Sequence, residues 1–152
     1  MGYNLLALEM KVMGNIIRAY QLLQYGFEGV QKPLVYCNCD IEFLNNAISL
    51  ESDMTDALLS IPKKFRNTRV PQCFDKVLSA FPANSVLKNI DVLFNPDYKI
   101  DVLAMLVLAC KRHNFSIVWP GKYIDGRLIY GEEDYRDYQI YNIKDYDITC
   151  VL

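Results

Sequence analysis

The sequence predicts one α/β domain in which a partly parallel sheet is flanked by helices, and three features point to it. Apolar residues at helical spacing alternate along the chain with short β-rich runs. Those runs are apolar on both faces, as strands covered on two sides must be. The chain has 152 residues, 52% hydrophobic and 22% charged, a size at which one compact unit buries most of its apolar surface. No repeat and no low-complexity linker divides the sequence, so residues 1–152 read as a single domain.

The elements follow in order. From Asn4 to about Gln24, Leu5, Leu8, Val12, Ile16, Ala19 and Leu23 recur at helical spacing, with Lys11, Asn15 and Arg18 on a polar stripe, which predicts a long amphipathic helix. Gly26 and Gly29 break it, and Pro33-Leu-Val-Tyr-Cys37 reads as a short buried strand. Asp40 is a candidate cap for a short helix through Ile48, and Ser52 with Thr55 and Asp56 opens another to Leu59 or Ser60. After a basic loop, Pro71 suits the first turn of a helix that turns Phe74, Val77, Leu78 and Phe81 inward and stops at Pro82. Ser85 to Phe94 is predicted as a second strand running into an Asn95-Pro96-Asp97 turn. Ile100 to His113 is helical and apolar almost all round, with Asp101 near its start and Lys111 and Arg112 near its end, in accord with the helix dipole. Phe115 to Trp119 is a third strand closed by Pro120-Gly121. A hairpin at Asp125-Gly126 leads into Leu128-Ile-Tyr130, and Ile148 to Leu152 is a last strand. The order α, β, several α, β, α, β and then β-rich is that of a nucleotide-binding α/β core whose first strand is missing.

Charge and cysteine usage narrow the function classes. A net charge of −2 gives no global attraction to nucleic acid or to an anionic membrane, so any binding surface is local. Lys63, Lys64, Arg66 and Arg69 form a basic cluster, and Glu132 to Asp147 is an acidic region. No apolar run approaches the ~20 residues needed to span a bilayer. The N-terminus also lacks the pattern of a secretory signal, which places the expected protein in the cytoplasm with no membrane partner. Five cysteines in apolar contexts read as reduced thiols rather than as a disulfide framework.

Asn89-Ile-Asp-Val-Leu-Phe-Asn-Pro96, then Ser116-Ile-Val-Trp-Pro-Gly121, Asp125-Gly-Arg-Leu-Ile-Tyr130 and Tyr135-Arg136 together resemble BrxF, the small P-loop-containing protein of BREX phage-exclusion systems. The likeness is densest from about Ser85 to Tyr141. It implies a P-loop-NTPase-like sheet, binding of ATP with magnesium, and work beside a large ATPase, a DNA methyltransferase and an alkaline-phosphatase-like protein in restricting phage.

Two departures qualify that picture. A phosphate loop needs G-x-x-x-x-G-K-S/T, so that backbone N–H groups wrap the phosphates while the lysine adds charge. None of the seven glycines begins such a motif. Lys88 stands where the family would place its magnesium-linked aspartate, which leaves Asp91 as the one degenerate Walker B candidate. The first strand and phosphate loop are thus missing or degenerate, either because this is a divergent member or because the chain starts downstream of the loop. Lys88 favours divergence, since truncation would not alter it.

Other candidate chemistry is thin. Cys37-x-Cys39 sets two sulfurs on one strand face without a second pair, and the single histidine, His113, reads as a helix-end residue, so no catalytic or metal-ligating residue is expected. Asp91 with Asp97 is a conceivable acidic pair, though a strand end and a turn account for both. Lys63, Lys64, Arg66 and Arg69, with Phe65 among them, are the nucleic-acid candidates. Trp119, Pro120, Gly121, Tyr123 and Tyr130 are the interface candidates. The leading expectation is a non-catalytic accessory component acting through protein contacts, with or without self-association. The other readings are a nucleic-acid-binding subunit touching DNA, and a nucleotide binder completed by a partner.

Overall fold

The structure, a computed structural model, describes residues 13–25, 33–39 and 42–152. Its centre is a six-stranded sheet formed by β1 (Asn15–Ile17), β2 (Leu34–Tyr36), β3 (Ile48–Ser49), β4 (Ser85–Lys88), β5 (Phe115–Val118) and β9 (Thr149–Val151). The strand order is β1-β9-β2-β5-β4-β3, and every pairing is parallel. A second sheet, β6 (Lys122–Ile124), β7 (Arg127–Tyr130) and β8 (Gln139–Asn142), is antiparallel. The α/β class therefore holds, with the parallel and antiparallel parts in separate sheets.

Register is fixed by a row of side chains across the centre, where Cys150 pairs with Val35, Val35 with Ile117, and Ile117 with Leu87. All four are fully buried, so a one-residue slip of any strand would turn its core face the wrong way. Val35, Ile117 and Leu87 share one core with α2 (Glu51–Leu59), α3 (Arg66–Ser79) and α4 (Val102–Cys110). Leu34, Tyr36 and Val151, one residue out of phase, pack with Leu22 of α1 (Ala19–Tyr25) on the opposite face. That division is why the strand at Leu34 reads as continuously apolar.

Several boundaries depart from the sequence pattern, each for a local reason. Residues 4–12 of the expected first helix lie outside the described residues, and within its remainder Asn15–Ile17 is a strand on Thr149–Val151. The adjacent β-branched Ile16 and Ile17 take the free edge of β9, and helix begins only at Ala19. Asp40 also lies outside the described residues, and the stretch it was expected to cap is a 3₁₀ turn, Glu42–Asn46, followed by the short strand β3. Helix α3 starts at Arg66, so Arg66 and Arg69 are helical rather than in a loop. Pro71 then lies inside the helix and forfeits one backbone bond there. The predicted strand to Phe94 ends at Lys88, because Asn89 adopts a left-handed conformation (φ 55°) and Ile90–Phe94 coils into a 3₁₀ turn. The Asp125-Gly126 hairpin forms as read, with positive φ at both residues as a type I′ turn requires.

Candidate functional site

In open parallel sheets ligands sit beyond the carboxyl ends of the strands, so the chemistry of that edge is decisive. β2 delivers Cys37, Asn38 and Cys39 there; β4 delivers Lys88 and Asn89; β5 delivers Trp119. The Cys37 amide donates to Val151 O at 2.9 Å and the Trp119 amide to Tyr36 O at 2.9 Å, so these two backbone donors are spent on the sheet itself. Asn89 Nδ2 donates to Ser49 Oγ at 3.0 Å. Lys88 is exposed to solvent.

Cys37 is buried, and its thiol donates to Val35 O at 3.5 Å. A hydrogen bond with Cys150 and then burial push it above the ordinary thiol range, which disfavours the thiolate. All five cysteines are unbridged. Among the described residues no group of three or more His, Cys, Asp or Glu is arranged to hold a metal ion. Tyr36, buried on the α1 face, is pushed up to about 12, first by desolvation and then by Cys39.

The two carboxylates of the acidic pair each have a partner of their own. Asp91 accepts a hydrogen bond from Tyr130 Oη at 3.2 Å, and burial together with that carboxylate raises the phenol's pKa. Asp97 pairs instead with Arg136 at 3.1 Å. His113 does not cap its own helix. Its Nε2 lies 2.7 Å from Asp75 Oδ1 and Arg112 Nε 3.1 Å from the same oxygen, which pins α3 to the chain after α4. Sequence spacing offers no signal for a contact across 38 positions.

These contacts, the His113 bond first, hold the Asp75 carboxyl below the usual carboxylate range. The folded state then binds that proton less well than the unfolded state, so the stabilisation is complete above the unfolded pKa and fades as pH falls through the folded value. The urea midpoints of wild type and Asp75→Asn should therefore differ by a constant amount near pH 5 and converge below it. A difference that persists unchanged to pH 2.5 would contradict the assignment.

The aromatic candidates fill the junction between the two sheets. Trp119 and Tyr130 are buried, Phe94 stacks on Tyr130 at 3.9 Å, and Trp119 stands edge-on to Phe94 at 5.5 Å and to Tyr141 at 5.8 Å. The Trp119 indole donates to Ile129 O at 3.1 Å. Pro120, Gly121 and Tyr123 are half-buried beside it.

The basic candidates lie apart from these. Lys63 and Lys64 sit in a 3₁₀ turn, Lys63–Phe65, and Arg66 opens α3. With Asn67, Asn95, Asp97 and Tyr98 they line a pocket of about 270 Å³, while Arg69 lies one turn further along the helix. No family model, curated protein or solved structure matches the chain.

Proposed function

We propose that this chain is a non-hydrolysing BrxF-like component of a phage-exclusion system, in which a P-loop-derived core serves as a docking module. The strand order carries the reading. Counted from β2, five neighbouring strands β9-β2-β5-β4-β3 run fifth, first, fourth, third, second, the order that descent from a P-loop ATPase with an extra central strand implies. On this reading Leu34–Tyr36 corresponds to the strand that leads to the phosphate loop, and the loop rather than the strand would be what has degenerated. Cys37-Asn38-Cys39 offers neither a glycine nor a lysine for phosphate, and its first amide is already bonded to β9. After β4, Lys88 is no cation ligand and the Asp91 carboxylate serves Tyr130.

A surface for docking lies on the edge strand β1 and the helix α1 that follows it. Ile16 on β1 is 49% exposed, and Tyr20 and Leu23, three apart on α1, are 63% and 68% exposed. Partners would be the other phage-exclusion proteins that the resemblance implies.

Purified chain with Mg-ATP should release no phosphate above a blank. Release that vanishes on Asp91→Ala would show a working site and end the non-catalytic reading.

A further inference from the structure

We infer that the pocket formed by Lys63, Lys64, Arg66, Asn67, Asn95 and Tyr98 binds a phosphate group. This site is separate from the strand ends and stands whether or not the docking proposal does.

The first ground is charge. Four cations, Lys63, Lys64, Arg66 and Arg69, fall within seven residues, and no acidic residue lies in the first turn of α3. Among the described residues Lys63, Lys64 and Arg69 form no ion pair. The one carboxylate in the pocket wall, Asp97, is engaged by Arg136 at 3.1 Å. Like charges held this close repel, and a bound anion offsets that cost.

The second ground is preorganisation. Arg66 Nε donates to both Leu58 O at 2.9 Å and Ile61 O at 3.0 Å, so one carbonyl in the last turn of α2 and one just beyond it fix the guanidinium plane. Its terminal N–H groups have no protein acceptor among the described residues and suit the forked recognition of two phosphate oxygens. Asn95 Oδ1 accepts from the Asp97 amide at 2.9 Å, which leaves the Asn95 NH₂ to donate elsewhere. A fixed guanidinium, two ammonium groups with no ion pair among the described residues and an amide donor make a phosphate site of ordinary composition.

Size decides what part of a ligand fits. About 270 Å³ falls below the roughly 300–1,000 Å³ of sites that enclose whole drug-sized ligands, so the pocket takes a phosphate group rather than an entire nucleotide. The phosphate has two sources, a polynucleotide backbone or a small free phosphate compound. Phe65, 46% exposed with Lys64 Nζ 5.0 Å from its ring centre, offers a stacking surface that only the first would use.

The test titrates the full chain with inorganic pyrophosphate and, separately, with a short single-stranded oligodeoxynucleotide, following backbone amide shifts by NMR. It compares wild type with the Lys63→Ala/Lys64→Ala double variant, whose two sites are solvent-exposed and whose unchanged thermal midpoint certifies the fold. Shifts should cluster at residues 63–67 and 95–98, and the double variant should bind about tenfold more weakly or worse. Response to both ligands, with a salt slope about 1.4 lower in the variant, assigns a single-stranded polynucleotide. Response to pyrophosphate alone assigns a small phosphate compound. No response to either ligand at low ionic strength, or equal affinity in the variant, overturns the proposal.

Discussion

Replacing Trp119 by alanine should destabilise the fold by about 3–5 kcal/mol, a large share of the ~5–15 kcal/mol that holds a domain of this kind together. The ring is 5% exposed and contacts Phe94 and Tyr141 edge-on, so truncation opens a cavity where the antiparallel sheet meets the parallel one. It also removes the indole N–H bond to Ile129 O, 3.1 Å long. Trp119→Phe keeps most of the packing and loses the donor, so its cost should be nearer 1–2 kcal/mol, about that of one lost hydrogen bond and a small packing defect. Because Trp119 is the chain's one tryptophan, unfolding in urea is followed by far-ultraviolet circular dichroism. A loss under about 1 kcal/mol for the alanine variant would mean that the sheets are joined by other contacts.

Gly121→Ala should cost about 3 kcal/mol for a different reason. A methyl at that position would lie 1.9 Å from Ile129 O and 3.0 Å from Trp119 Nε1, so backbone and indole must both move. The φ angle of Gly121 is not positive; space, not conformation, demands the glycine. Gly126 gives the contrast, with φ +78° in the hairpin turn and nothing within 4 Å, so alanine there should cost about 1–2 kcal/mol from backbone strain alone. Equal urea midpoints for the two variants would contradict the crowding argument.

These effects change how Trp119-Pro120-Gly121 is understood. Its aromatic and small residues have the composition of a binding surface, yet the tryptophan is consumed in joining two sheets. Composition does not distinguish a ring that meets a partner from one that meets its own chain, and only the position of β7 decides it. The central strands were legible because Val35, Ile117 and Leu87 are buried on a sheet covered on two sides, which leaves a continuous apolar signature. β1 was not, since Ile16 fits the helical spacing of its neighbours and only pairing with Thr149–Val151 settles the matter. The strand toward Phe94 was overextended because its apolar run continues through a 3₁₀ turn, and the stop comes from the left-handed Asn89. The Asp75–His113 clamp and the Arg66 anchor are long-range or backbone contacts with no residue pattern of their own.

Docking in place of turnover is tested most directly by co-expressing the tagged chain with the large ATPase, the methyltransferase and the phosphatase-like protein that the resemblance implies, and quantifying what co-purifies. At least one of them should be retained in near-stoichiometric amount by wild type and by Asp91→Ala alike, and lost from a folded Tyr20→Glu/Leu23→Glu variant. Retention of none, or retention that requires ATP and Asp91, would contradict a docking module that has given up its nucleotide site.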